Sequence, residues 1–392
     1  VPSAMIGLVW NGMMSFGGGW FFVAASEAIS VLNRTYTLPG IGSYVAAAVA
    51  AQDLAALGWS LITIAVVILL VNQLFWQPII AWSDKFRMEQ NAAAEAPDSW
   101  LYNLLKAARI PRLLGQALKP IGEFINRLLA RLTPPRSPYT PKAKGANWGD
   151  RLYNGILVLF IGLLLALGLH FILTSVGLVE VGKTIGLGLL TLGRVMLLLT
   201  IATLVWTPIG VAIGFNPRLA RLLQPVVQFL ASFPANFIFP FATLFFIHAH
   251  ISLDWGSIVL MSLGSQWYIL FNSIAGAQTV PTDLREMGRD LGLEGWLLWR
   301  KLIIPGIFSA WVTGGITASG GAWNASIVSE IVAWGHTTLT ANGLGAYIAQ
   351  ATAIGDWPRI TLGIGMMSLF VVGLNRTFWR RLYHLAETKY HL

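Results

Sequence analysis

Apolar residues run in long blocks along this chain, and short stretches between the blocks hold nearly all its charge. The blocks cover roughly 2–32, 58–81, 153–176, 184–213, 224–249, 255–277, 305–332 and 357–379. Each exceeds the roughly 18 apolar residues that mark a helix able to cross a bilayer. The pattern predicts an all-α polytopic membrane protein with about eight transmembrane helices. Residues 33–53 form a polar, Gly-punctuated connector, and Trp76 and Trp82 close the second block as interface residues do.

Residues 83–150 differ in character, with 11 Lys/Arg and 6 Asp/Glu. Leu114, Leu118, Ile121, Ile125, Leu128 and Leu132 recur at four- and three-residue spacing beside Arg112, Lys119, Arg127 and Arg131. This reads as a basic amphipathic helix, kinked at Pro120, that lies on the lipid surface or packs on another cytoplasmic helix. The run from Thr133 to Pro141 is a non-helical linker.

Composition agrees with the blocks. Charged residues make up 11% of the chain, against about 25% in soluble domains. There is no cysteine, which excludes disulfides, thiol catalysis and Cys-ligated metals. A net charge of +9 raises nucleic acid as a partner, but Lys and Arg sit in loops between spans, as the positive-inside rule requires. The expected partner for that charge is the lipid membrane and not nucleic acid. With 83–150 in the cytoplasm, alternation also puts there the loop with Arg218 and Arg221, the loop 281–301, and the tail with Arg380, Arg381 and Lys389.

The chain also matches itself without gaps at a shift of 303 residues. Pro2 falls on Pro305, Gly12 on Gly315, Gly17 and Gly18 on Gly320 and Gly321, and Trp20 on Trp323. Ser26 and Glu27 fall on Ser329 and Glu330; Gly40, Gly42 and Tyr44 on Gly343, Gly345 and Tyr347. Asp53 meets Asp356, and Asn72, Phe75 and Trp76 meet Asn375, Phe378 and Trp379.

Between two apolar blocks, Pro281 to Pro305 holds eight charged residues. Thr282 is placed to cap a short helix, and Asp283 favours its positive end. Leu284, Met287 and Leu291 form one apolar stripe, and Gly292 is a natural stop. This stretch resembles the EAA loop of ABC importer permeases: Glu-Ala-Ala, three residues, Gly, nine residues, Ile-x-Leu-Pro. Glu286 takes the Glu position and Gly292 the Gly position; Leu302, Ile303, Ile304 and Pro305 fill the closing four. Met287 and Gly288 depart from the two alanines, and Gly288 softens the helix by about 1 kcal/mol. The surrounding sequence is most similar to the nitrate/sulfonate/bicarbonate branch.

The resemblance implies the ABC importer permease fold and a multi-pass protein of the bacterial plasma (inner) membrane. It implies two partners, a dimeric ATP-binding subunit docked at this loop and an extracytoplasmic solute-binding protein. The solute is then a small anion such as nitrate, a sulfonate or bicarbonate, and ATP hydrolysis belongs to the partner, with no cofactor, catalytic residue or metal here. With the repeat, it implies a fused, duplicated permease. Residues 1–82 would be the last two spans of a first permease domain whose first four or so spans are missing from this sequence, 83–150 a linker, and 151–392 a complete second domain of about six spans. The other class is a secondary transporter or channel that works without ATP.

Ser15, Gly17, Gly18 and Trp20, with Thr317, Ser319, Gly320, Gly321, Trp323 and Asn324 in the second copy, are candidate pathway residues or simple helix packing. Glu27 and Glu330 are carboxylates near the ends of spans, and read either as flanking an outer gate or as making structural hydrogen bonds. Ser232, Asn236, Gln266 and Asn272 are weaker polar candidates. Gly177 to Thr184 matches the phosphate-binding pattern G-x-x-x-x-G-K-[ST], but no strand precedes it, so Lys183 is expected only to anchor a helix end.

Overall fold

A computed structural model describes residues 5–32, 34–83, 85, 99–107, 119–120, 123–124 and 148–390. The expected amphipathic helix over 114–132 falls outside these apart from residues 119–120 and 123–124, which are helical. The chain forms two compact units, one of residues 1–13 with 69–171 and one of residues 14–68 with 172–392.

In the first unit, Val9, Met13 and Ile80 are buried among Met5, Trp76 and Ile79. Its long helix runs over Trp148–Ser175, and in the stretch Arg151–Ser175 none of the most apolar window is buried. A helix apolar all round with nothing covering it suits lipid.

The second unit carries most of the long helices, named here in chain order. They are α1 (Met5–Ser26, shared with the first unit), α2 (Ile41–Ala50), α3 (Leu54–Val71), α4 (Leu178–Phe215), α5 (Pro217–Ser232), α6 (Phe239–His248), α7 (Leu253–Thr279), α8 (Thr282–Asp290), α9 (Ile304–Ser329), α10 (Leu344–Ile354) and α11 (Trp357–Leu374). The core sits where α7 lies between α4 and α9. Small residues let these backbones close up. A Cβ on Gly214 would lie 2.7 Å from the Ile274 carbonyl oxygen, and one on Gly314 2.8 Å from that of Tyr268.

Among the described residues six helices are long and apolar enough to cross a membrane: Leu54–Ser83, Arg151–Ser175, Leu178–Phe215, Leu253–Thr279, Gly295–Ser329 and Trp357–Lys389. The block expected as the first span forms the 22-residue α1, which is helical but not among these six. The span expected over 224–249 is corrected: α5 and α6 replace it, separated by a break at 233–238. Pro234 pushes Phe233 out of the helical region, to φ −75°, ψ 125°, and Pro240 starts the next helix.

Two small hairpins qualify the all-α expectation. Strands β1 (Ala28–Val31) and β2 (Arg34–Thr37) pair antiparallel, as do β3 (Ile331–Trp334) and β4 (Thr337–Thr340). The start of β3 minus that of β1 is 331 − 28 = 303, and α11 minus α3 gives 357 − 54 = 303. π-turns interrupt the ends of both spans, at Asn72–Trp76 and Asn375–Trp379, again 303 apart. The hairpin tips engage reciprocally. Leu32 sits against Gly355, and Gly335 donates its N–H to the Val49 carbonyl (3.1 Å) and lies against Gln52. Leu32 and Gly335 are mates at the 303 shift, as are Gln52 and Gly355, and all four have positive φ, between 54° and 73°.

Candidate pathway and coupling loop

The charged loop folds as α8 and a short turn of helix, Gly295–Leu298, that runs through a π-turn, Trp299–Ile303, into α9. The N-cap expectation is corrected: Thr282 lies inside the helix, Pro281 flanks it, and no side chain caps it. Asp283 in the first turn and Arg289 in the last complement the helix dipole. The C-terminus closes as a Schellman motif at Gly292, whose φ is +66°. Gly292 N–H donates to the Arg289 carbonyl and Leu293 N–H to that of Gly288, both at 2.9 Å.

Burial divides this helix into two faces. Gly288 is buried and faces Leu302, Leu293 and Leu298. Arg285 holds the helix to the end of α4, with its guanidinium 5.0 Å from the Phe215 ring and Nη1 donating to the Phe215 carbonyl at 3.4 Å. The outer face carries Asp283, Glu286, Met287, Leu291 and Gly292, with Leu284 half-buried at its edge. Met287 is 52% exposed, Leu291 67% and Trp296 71%, so the apolar stripe is open beside charged neighbours. Pro305 occupies the first turn of α9, where a missing N–H is harmless.

Because a Cβ at Gly288 would meet Leu302 at 3.4 Å, an ordinary contact, alanine fits there. Gly288→Ala is expected to stabilise the loop by up to about 1 kcal/mol through helix propensity, read as slower hydrogen exchange in 282–290.

Along α9 the sequence candidates separate. Thr317 and Asn324 lie on an exposed face with Thr313, whereas Ser319 and Trp323 are turned into the core, Trp323 stacking on Phe370 at 6.0 Å. Ser15 is exposed on α1, and its neighbour Trp20 packs with Ile64, Ile68 and Phe237. Among the weaker candidates, Asn236 donates to the Phe21 carbonyl (3.2 Å), Gln266 accepts from Trp206 Nε1 (2.9 Å), and Asn272 donates to the Tyr268 carbonyl (2.8 Å). Gly177 opens α4 after a helix, not a strand, and Lys183 pairs with Glu180 at 3.9 Å.

Glu330 is fully buried, and its carboxylate faces the start of α10. It accepts from the N–H groups of Gly345 (2.8 Å) and Ala346 (3.2 Å), from Thr191 Oγ1 (2.8 Å) and from Arg194 Nη1 (2.9 Å). Thr191 Oγ1 in turn accepts from Leu344 N–H at 2.9 Å. The first N–H groups of α10, which have no partners within the helix, are thereby satisfied. Arg194 continues to Asp254, and Asp254 accepts from Asn342 N–H (2.8 Å). Glu27 repeats the cap on α2, accepting from Gly42 N–H, but it is only half-buried. The Gly-x-Gly pairs have a steric reason. A Cβ at Gly40 or Gly343 would lie within 2.4 Å of the carboxylate, and at Gly42 or Gly345 within 2.3 Å of a helix carbonyl. Sequence reasoning missed Arg194 and Asp254; the signal was a lone arginine inside the apolar run 184–213.

Six described helices are long and apolar enough to cross a membrane, and the charged loop lies between two of them. Residues 206–379, the loop included, match the family described as binding-protein-dependent transport system inner membrane component, so the chain carries a permease domain of that family. It is 27% identical over 199 residues to the bicarbonate transport system permease protein CmpB of Synechococcus elongatus, covering 49% of this chain and 68% of the relative. It is 25% identical over 196 residues to the taurine transport system permease protein TauC of Escherichia coli (49% and 67%). It is 27% identical over 197 residues to the nitrate import permease protein NrtB of Synechococcus elongatus (49% and 66%). The chain is thus a multi-pass membrane protein whose residues 206–379 match the inner-membrane permease component of binding-protein-dependent importers, and the relatives named here are permeases for bicarbonate, taurine and nitrate.

Proposed function

We propose that this chain lines the path of an ATP-driven importer for a small anion. An ATP-binding subunit grips the outer face of α8, and an extracytoplasmic solute-binding protein delivers to the opposite end. The observation that carries this is the open apolar stripe of Met287 and Leu291 on a helix closed at its C-terminus by a Schellman motif, inside the family-matched range. A helix of that kind suits docking in a groove, and its anchor on Phe215 passes movement to α4. The duplicated-domain reading is supported by the elements that recur 303 residues apart. Ser15, Thr317 and Asn324 are the pathway-lining candidates that stay open; Glu27 and Glu330 support the ends of the path through α2 and α10.

The test is uptake of labelled nitrate, bicarbonate and taurine into lipid vesicles holding the permease with its ATP-binding subunit. Accumulation that requires ATP, together with the binding protein, supports the proposal. Accumulation driven by an ion gradient without ATP would replace it with a secondary transporter.

A further inference from the structure

Tyr268 lies near the middle of α7, and its side chain reaches α1 and α9 at two equivalent points. A Cβ on Gly18 would sit 2.9 Å from its hydroxyl, and one on Gly321 3.4 Å from its ring carbon Cε2. Gly18 and Gly321 are mates, since 321 − 18 = 303. The phenol therefore stands where the two copies face each other, in space that both leave open by lacking a side chain.

The surroundings are uncharged. α1 and α9 carry no Lys, Arg, Asp or Glu over their helical lengths, and neither does α7 after Asp254 or α4 after Arg194. An anion at this depth has neutral donors to meet. Thr313 and Thr317 already donate their hydroxyls to the carbonyls of Ser309 (3.1 Å) and Thr313 (2.9 Å). The Tyr268 hydroxyl has no hydrogen-bond partner among the described residues, and a phenol keeps its proton as a donor at neutral pH.

We propose that Tyr268 is the constriction and the selectivity residue of the path: its ring closes the gap between Gly18 and Gly321, and its hydroxyl donates to an oxygen of a small oxyanion in transit. This rests on the importer reading above. A neutral donor suits passage, because it favours an anion over water-like solutes yet releases it more readily than a cation would. Hydrogen bonds to charged partners are the stronger kind, so losing this one is felt in affinity first.

The native chain has no cysteine, so a single introduced thiol reports cleanly. In the reconstituted complex, Tyr268→Cys is expected to react with an anionic methanethiosulfonate added in water, and millimolar nitrate, bicarbonate or taurine should slow the reaction. Tyr268→Phe keeps the ring, and its KM for the transported anion is expected to rise about tenfold with the maximal rate within about twofold. A thiol that never reacts, in any nucleotide state, would mean the residue is sealed between helices and would overturn the proposal. Reaction that none of the three anions slows, or an unchanged KM in Tyr268→Phe, would overturn the donor role. Wild-type complex that takes up none of these anions with ATP defeats the importer reading instead, and the thiol reaction still decides whether Tyr268 lines a water-filled path.

Discussion

Glu330→Ala is expected to destabilise the protein by about 3–5 kcal/mol, the range for breaking a buried ion pair by removing one partner. Four donors lose their acceptor at once: Arg194, Thr191 and the amides of Gly345 and Ala346. Arg194, 8% exposed, keeps only Asp254. The repeat supplies an internal control. Glu27 caps α2 through Gly42 and is half-buried, so Glu27→Ala should cost about 1 kcal/mol, as a lost cap does. Thermal unfolding of both variants in the same detergent compares them directly. Equal losses at the two mates would show that Arg194 adds nothing to the Glu330 site.

The second large effect is expected at the loop. Met287 and Leu291 present apolar side chains to water on a helix whose other face is already satisfied by Leu293, Leu298 and Leu302. Burying each side chain in a partner groove is worth roughly 1.5–3 kcal/mol. Changing both to Asp should therefore weaken retention of the ATP-binding subunit by at least about a hundredfold. The unfolding temperature of the permease alone should stay within about 2 °C, since neither side chain supports the core. Copurification at graded subunit concentrations reads the first quantity, calorimetry the second. Unchanged retention would remove the docking role from this stripe.

Different kinds of sequence signal fared differently. Long apolar blocks placed most of the spans, and the shift of 303 residues anticipated elements that recur at that distance, because both depend on many residues at once. The break at 233–238 was concealed by averaging hydropathy over a window, although Pro234 and Pro240 were in view. The hairpins are four residues to a strand, too short to give a period, and residues 28–37 read simply as the end of a span and a polar connector. The charged loop was legible because Gly292 needs positive φ and the stripe has helical spacing. Which face was open was not, since that depends on Leu302 and Phe215 from elsewhere. Glu330 stood out as a charge within an apolar run; its service to the amides of α10 is a tertiary fact. Tyr268 gave no signal, because a tyrosine in a span is ordinary until two equivalent glycines are found on either side of it.

The central claim is that an ATP-driven partner grips this chain at α8. The most direct measurement uses the cysteine-free chain with Met287→Cys, coupled to a photoreactive benzophenone maleimide in the assembled, transporting complex. Illumination is predicted to yield an adduct with the ATP-binding subunit, at an efficiency that changes when ATP is bound. An intact complex that transports with ATP, but whose label at residue 287 captures only lipid or water, would contradict the claim.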